Sequence, residues 1–150
     1  MQNDLIKQLE VSRKRLIEAL SGISGEGIVT DQWGKKEILA HIAGWEEEGM
    51  ICISQILRGE EPRSFRTSID RFNQENVERR KDTSIPELLQ ELLILRSDFI
   101  KQIKELSEEQ ITGYYGTRLK GKRINVLWII NEAISHDNNH TKELVKGRIF

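Results

Sequence analysis

Two of the three histidines in this 150-residue chain lie four positions apart near its C-terminus, in the segment 135–141. The flanking residues have helical periodicity, and residues four apart on a helix lie one above the other on the same face. The imidazoles of His136 and His140 can therefore point at one atom. The third histidine, His41, lies in another strongly helical segment. Three imidazoles from two helices suit a divalent metal ion and leave one coordination position open, so His41, His136 and His140 are predicted to be metal ligands.

An HxxxH pair alone does not establish a metal site, because many such pairs are surface or capping histidines. The zincin signature HExxH is a poor fit, since Asp137 is one carbon shorter than glutamate and only ten residues follow the pair. A ferritin-like di-iron site needs Glu-x-x-His on two helices. This chain has Ile38 and Ala133 where those glutamates would be.

Four amphipathic segments predict the four long helices that must position these histidines. They cover residues 3–21, 34–57, 84–106 and 125 to the 140s. Gly34 is the predicted N-cap of the second helix, and Gly59 is predicted to end it. Thr83 or Ser84 is the expected cap of the third, with Pro86 in its first turn. A linker runs through 27–32, and the polar linker 107–124 is read as a loop or, at 113–116, a brief extended piece.

The connection over residues 58–83, which holds a short helical piece at 68–80, predicts the topology. Neighbouring antiparallel helices need only a few connecting residues, so this longer segment is expected to cross the bundle and to make the third helix parallel to the second. The sequence thus predicts one all-α domain over residues 1–150, a four-helix bundle with a long crossover between helices two and three.

Helical angles place the candidate ligands at the margin of the core. His41 falls at the edge of an apolar stripe, one turn from Trp45, while His140 and Asp137 fall within the apolar arc of the last helix. An ionisable group on a buried face is costly unless it is paired or binds a metal. Asp137 is therefore expected to orient a ligand or a water rather than to bind the ion itself. Cys52 is interpreted as a small buried hydrophobe, with a reactive thiol near the metal as the alternative.

The overall composition limits the classes of partner that are expected for this chain. Lys and Arg number 23 against 24 Asp and Glu, so the net charge is −1, and the sequence pI is about 6.3. This balance predicts that nucleic acid is not a partner. The N-terminus lacks an apolar signal core and no run approaches the ~20 apolar residues of a membrane span, so no membrane association is expected. A single cysteine fits a reducing compartment, and the predicted location is the cytoplasm.

Residues 33–46 resemble the first histidine motif of the DinB/YfiT-like superfamily, and residues 136–140 match its C-terminal HxxxH pattern. The segment 69–73, Ile-Asp-Arg-Phe-Asn, is similar to the ClbS/DfsB-type branch. This resemblance implies an up-down-down-up bundle with zinc or nickel held by the three histidines. Asn73 in that segment, together with Trp45 and Asp137, is expected around the metal or in the substrate pocket, and the alternative for Trp45 is a simple core residue.

The resemblance further implies a choice of chemistries, since the superfamily includes thiol-dependent transferases and isomerases as well as hydrolases of toxic electrophiles. The predicted function is a divalent-metal-dependent enzyme, either a thiol-dependent S-transferase or a metal-assisted hydrolase, acting on a small electrophilic molecule. A low-molecular-weight thiol would be the co-substrate of the transferase. The alternative is a non-enzymatic bundle that binds a small molecule or a partner, with a structural or vestigial metal. Self-association as a homodimer through an exposed helix face is a third interpretation.

Overall fold

The computed structural model describes residues 1–24, 27 and 33–147, so the linker predicted at 27–32 lies, except for Gly27, outside the described residues. Six α-helices and one small β-hairpin account for most of this part. The helices are α1 Gln2–Ser21, α2 Lys35–Leu57, α3 Ile69–Arg79, α4 Ile85–Lys104, α5 Glu108–Thr112 and α6 Val126–Gly147. A 3-10 helix covers Arg63–Arg66, and strands β1 Arg118–Leu119 and β2 Lys122–Arg123 pair in antiparallel fashion.

The four long helices, α1, α2, α4 and α6, pack so that α1 and α2 each contact α4 and α6. The amide of Gln2, at the start of α1, donates to the carbonyls of Ile103 and Leu106 at the end of α4, so these two helices are antiparallel. The start of α1 shares an apolar cluster with the start of α6 and the ends of α2 and α4. The order is therefore up-down-down-up with a long crossover between α2 and α4, which confirms the predicted fold class. No helix in the described residues is both long and apolar enough to cross a bilayer.

Two apolar clusters fill the bundle, one toward each end. The first apolar cluster contains Leu5, Ile6, Leu9, Cys52, Ile53, Ile56, Phe99, Ile103, Ile111, Ile124, Val126, Ile129, Ile130 and Ile134. The second apolar cluster contains Leu16, Ala19, Leu20, Ile38, Leu39, Ile42, Ala43, Leu88, Leu92 and Leu144. Each of the four helices contributes one half of its buried face to the first apolar cluster and the other half to the second. The buried polar groups described below lie between the two clusters, near the midpoints of the helices.

Local sequence signals set the helix ends. Gly34 is the N-cap of α2, as predicted. Gly59 follows its C-cap with φ of +71°, and the N–H groups of Gly59 and Glu60 donate to the carbonyls of Ile56 and Gln55. This is a Schellman ending, which glycine favours because it adopts a left-handed conformation without a Cβ penalty. Ser84 caps α4 with a full capping box to Glu87.

The segment 107–124 contains more regular structure than its polar sequence predicts. Ser107 and Gln110 form a capping box that starts the short helix α5. The extended piece lies at 118–123 rather than at 113–116. Lys120 and Gly121, with φ of +51° and +80°, form the turn between the strands, since a two-residue hairpin turn of this kind needs positive φ at both positions.

Candidate metal centre

The three histidines converge from α2 and α6 at the margin of the second apolar cluster. The Nε2 atom of His41 lies 2.9 Å from that of His136 and 3.1 Å from that of His140. The third side of the triangle, between the Nε2 atoms of His136 and His140, measures 3.0 Å. The spacing of four residues on α6 thus aims both imidazoles at the one supplied by α2. In the described residues, these three side chains form a group that could hold a metal ion.

The donor set fits a divalent ion. Imidazole nitrogens about 2.0–2.1 Å from a shared ion lie roughly 2.9–3.4 Å apart, depending on the angle between ligands, and the observed separations fall at the short end of that range. Burial and the neighbouring imidazoles lower the pKa of His41 to about 4 and that of His136 to about 2. Both rings are therefore neutral at pH 7, and neutral imidazole is the form that binds a metal.

Asn73 and Trp45 determine which nitrogen of His41 faces the other two rings. The indole Nε1–H of Trp45 can only donate, and it donates to the side-chain oxygen of Asn73 at 2.7 Å. The same oxygen lies 3.0 Å from Nδ1 of His41, so Nδ1 must carry the proton and donate. The Nε2 lone pair of His41 is then directed at His136 and His140. A hydrogen bond to the far nitrogen is the usual way in which proteins orient a ligand imidazole.

Two further side chains support the cluster, and the sequence interpretation missed both. Glu143 accepts from Nδ1 of His140 at 3.2 Å, and its position three residues later on the same helix could have indicated this contact. The indole of Trp33 packs against the His41 ring with centroids 4.9 Å apart. Trp33 precedes the N-cap of α2, outside the helical periodicity, so no regular spacing along the sequence predicts this contact. The site is closed on the α2 side but reaches solvent at His140, whose side chain is 15% exposed.

Asp137 lies in a buried group of charges at the level between the two apolar clusters. This ion-pair layer consists of Arg13, Glu46, Arg96 and Asp137, one residue from each long helix, and each is at most 5% exposed. The carboxylate of Asp137 accepts from Nε and Nη2 of Arg13 at 2.9 and 3.1 Å, and Nη2 of Arg96 lies 3.1 Å from it. The partners of Asp137 are thus guanidinium groups, and its predicted role at the metal stays a prediction.

Glu46 completes the ion-pair layer. Its Oε2 atom accepts from Nε and Nη2 of Arg96 at 3.0 and 2.7 Å and also pairs with Arg13. Two positive and two negative charges balance, which is what allows all four to be buried. Because Asp137 follows His136 directly, the layer fixes the turn of α6 that carries a candidate ligand.

The sequence did contain a signal for the ion-pair layer. In α1, Arg13 stands where the spacing of Leu9 and Leu16 calls for an apolar residue, and in α4 Arg96 stands in the same way between Leu92 and Phe99. A charge inside an apolar stripe is costly unless a partner is buried with it. Such interruptions on several helices at one level therefore indicate buried pairing.

The remaining candidate residue, Cys52, lies away from the histidines. The Cys52 thiol is 4% exposed within the first apolar cluster and lies 3.5 Å from the hydroxyl of Ser64. Burial raises its pKa to about 11, so it is protonated at neutral pH. Two grooves of the described residues, about 580 and 570 Å³ in volume, run between α1 and α4 and between α2 and the crossover. No candidate ligand lines either groove.

Two solved structures share this fold over nearly the whole chain, although their sequence identity to it is low. "Sibling Lethal Factor Precursor - DfsB" superposes with a TM-score of 0.80 at 17% identity, over 97% of this chain and 93% of that chain. The colibactin self-resistance protein ClbS, in complex with a dsDNA, superposes with a TM-score of 0.77 at 18% identity, over 99% and 96% of the two chains. At these identities the likeness shows the fold alone. A search of curated proteins gave no match.

The ClbS complex overturns one expectation. The balanced composition predicts that nucleic acid is not a partner, and this prediction is wrong, because a protein of the same fold has been solved with double-stranded DNA. Net charge is a property of the whole chain, whereas a polyanion responds to the local distribution of charge on one surface. A nucleic-acid partner is therefore open for this fold.

The sequence itself identifies the family. Residues 8–144, which run from the first turns of α1 to the last turns of α6, match the DinB superfamily. This range includes all three histidines, the residues that orient them and the whole ion-pair layer. The chain belongs to the DinB superfamily.

Proposed function

We propose that this protein is a divalent-metal-dependent enzyme in which His41, His136 and His140 hold the ion. We further propose that it acts on a small electrophilic molecule, by transfer of a low-molecular-weight thiol or by hydrolysis. The observation that carries the proposal is the triangle of Nε2 atoms with sides of 2.9–3.1 Å. Asn73 and Glu143 leave the Nε2 lone pairs of His41 and His140 facing each other across 3.1 Å. Without a cation these two lone pairs would repel each other, and a shared ion removes that repulsion.

The residues around the triangle support a site with a fixed geometry. The Asn73 side-chain oxygen holds His41 in the tautomer that presents Nε2, and Glu143 accepts the Nδ1 proton of His140. When bound by three neutral imidazoles, Zn²⁺ or Ni²⁺ supplies Lewis acidity that can activate a water or a thiol. Trp45 and Phe72, whose rings pack 4.3 Å apart beside the site, offer an apolar wall for a small substrate.

An enzymatic role is better supported than a structural metal. Structural zinc sites have four protein ligands as a rule, whereas the group found in the described residues has three members. The bundle also has two complete apolar clusters and a balanced ion-pair layer. It therefore has its own sources of stability and does not depend on a metal to hold α2 and α6 together.

Metal analysis tests the first part of the proposal. Protein purified without a histidine tag is expected to contain near-stoichiometric Zn or Ni by mass spectrometry of the metals. The His41→Ala/His136→Ala variant is expected to lose that metal while keeping the helical circular dichroism spectrum of the wild type. Equal trace metal in both proteins would refute the assignment of the ligands.

Activity measurements separate the enzyme from the non-enzymatic bundle. The metal-loaded protein is incubated with a panel of electrophiles, such as epoxides and activated aryl halides, with and without glutathione or bacillithiol. Turnover that requires the thiol indicates a transferase, and turnover without it a hydrolase. In either case the His140→Ala variant should lose turnover but keep most of its thermal stability. A large fall in melting temperature, with no turnover by the wild type, would favour a structural metal.

A further inference from the structure

A cluster of positive charge lies at the N-terminal end of α6, whereas the candidate metal ligands lie in the middle and the C-terminal half of that helix. Residues 113–125, here called the basic hairpin, contain β1, β2 and the residues that lead into and out of them. Arg118, Lys120, Lys122 and Arg123 are its four cationic residues, and the segment has no aspartate or glutamate. In a chain whose net charge is −1, this is a strong local departure from balance.

The four cations are exposed and free of carboxylate partners. All four side chains are exposed to solvent, and within the described residues none of them forms an ion pair. Arg118 donates to the carbonyl of Gly121 at 2.9 Å, across the turn. The guanidinium of Arg123 lies over the ring of Tyr114, 4.0 Å from its centroid. The carboxylate of Glu60, whose backbone carbonyl contacts this segment, pairs instead with Arg58.

The basic hairpin is anchored to the bundle. The hydroxyl of Thr117 donates to the Glu60 carbonyl at 3.1 Å, and the side-chain amide of Asn125 donates to the Thr112 carbonyl at 2.9 Å. Ile124 is 1% exposed in the first apolar cluster, against which Leu119 also packs. The apolar side chains therefore face inward while the cations face outward. A surface held in place in this way loses little conformational entropy when it binds a ligand.

We propose that the basic hairpin binds the phosphodiester backbone of nucleic acid, without regard to sequence. Unpaired Lys and Arg side chains neutralise phosphates and release counterions, and exposed aromatic rings beside them can stack on bases. Tyr114 and Tyr115, at 50% and 37% exposure, are placed for such stacking. An anionic membrane fits less well, because surface-bound segments insert an exposed apolar face, and the aliphatic side chains of this hairpin are already packed inward.

This surface is separate from the candidate metal centre and does not depend on it. His136 lies ten residues along α6 from Val126, which corresponds to roughly 15 Å along the helix axis. Neither the ligands nor the residues that orient them belong to the basic hairpin. Binding of nucleic acid can therefore be tested without metal.

The test measures binding by fluorescence anisotropy with a labelled 24-base-pair duplex and with one of its strands, in EDTA, at several KCl concentrations. The Lys120→Gln/Lys122→Gln variant removes two cations from exposed positions. The Lys14→Gln/Lys146→Gln variant removes the same charge from exposed positions on α1 and α6. Circular dichroism melting shows that each variant is folded. Sedimentation with phosphatidylcholine vesicles containing phosphatidylserine tests the membrane alternative.

The wild type is expected to bind in the micromolar range, with log K falling against log salt with a slope of about −3.6 for duplex or about −2.8 for single strand. The hairpin variant should lose at least tenfold in affinity at 50 mM KCl and about half of the slope, while the control variant should change less than twofold. A stronger slope or affinity on one probe identifies the form of nucleic acid preferred. The proposal is overturned if neither probe binds, if the two variants behave alike, or if only the vesicles are bound.

Discussion

The indole N–H of Trp45 donates to the side-chain oxygen of Asn73 over 2.7 Å, and this bond determines which nitrogen of His41 carries the proton. Because indole N–H is only a donor, the atom of Asn73 that it faces is the oxygen. That oxygen then requires a proton on Nδ1 of His41, 3.0 Å away. The Asn73 oxygen on α3 thus accepts from two side chains of α2, and the Nε2 lone pair of His41 is left facing His136 and His140.

The first prediction concerns the Asn73 oxygen, which accepts from both Trp45 and His41. Asn73→Ala removes the acceptor that holds His41 in its tautomer and orientation, so we expect metal affinity to fall by about 10- to 100-fold. Competition against a chromophoric zinc chelator measures the change. Trp45→Phe keeps an aromatic ring beside Phe72 but loses the N–H, and its effect should be smaller. Asn73→Asp keeps an acceptor and serves as the control. Unchanged affinity in Asn73→Ala would show that Asn73 does not support the ligand.

The second prediction concerns the approach of α3 to α2. A Cβ added at Gly44 would overlap the side-chain amide of Asn76, one turn after Asn73 on α3. Gly44→Ala should therefore push α3 outward, lower the melting temperature and weaken metal binding, since Asn73 moves with the helix. Thermal melts and zinc competition on the same samples measure the two effects.

Gly49 provides the matched control, because a Cβ there would meet only Ile129 at 3.9 Å, an ordinary contact. Alanine is favoured over glycine inside a helix by about 0.5–1 kcal/mol, so Gly49→Ala should raise the melting temperature or leave it unchanged. If both substitutions behaved alike, the close packing of α2 against α3 at Gly44 would not be a determinant of the site.

The third prediction concerns the ion-pair layer. Arg96→Met leaves the buried carboxylates of Glu46 and Asp137 with one guanidinium between them, which should cost about 3–5 kcal/mol of the free energy of unfolding. Adding Glu46→Gln restores charge balance, because Arg13 and Asp137 remain as a pair, and should recover a large part of the loss. Urea denaturation followed by circular dichroism gives both values.

Arg71 serves as the control for the ion-pair layer, because its pair with Glu75 is exposed on both sides and exposed pairs contribute little. Arg71→Ala should leave the urea midpoint close to that of the wild type. If the urea midpoint of Arg96→Met were also close to that of the wild type, the buried charges would not contribute to the free energy of unfolding.

The fourth prediction concerns Cys52. Burial raises the pKa of its thiol to about 11, so only about a thousandth of it is thiolate at pH 8, and the thiolate is the reactive form. Native protein should react with Ellman's reagent far more slowly than free cysteine does, and completely once unfolded in guanidinium chloride. Rapid stoichiometric reaction of the native protein at pH 8 would instead revive the interpretation of Cys52 as a reactive thiol.

Much of the scaffold could be predicted because its signals are local. The apolar spacing of each long helix, the Ser84 cap, the glycine after α2 and the length of the crossover all act within a few residues or along one segment. The short helix α5 was missed although its capping box, Ser107 and Gln110, is a local signal too. The hairpin at 118–123 was not predicted, and 113–116 was given instead as a loop or a brief extended piece. The hairpin turn uses a lysine at positive φ, which sequence rules assign mainly to Gly, Asn and Asp.

By itself, the sequence determined the four long helices, their order and the three histidines as candidate ligands, because helical periodicity places side chains on known faces. Only the tertiary structure decided what each of these side chains meets. That Asn73 orients His41, that Glu143 supports His140 and that Asp137 pairs with Arg13 and Arg96 depend on packing between helices that are far apart in sequence. The helix face on which a side chain lies fixes the direction in which it points but not the residue that it contacts. That residue is determined by the packing geometry and the charge balance of the assembled bundle.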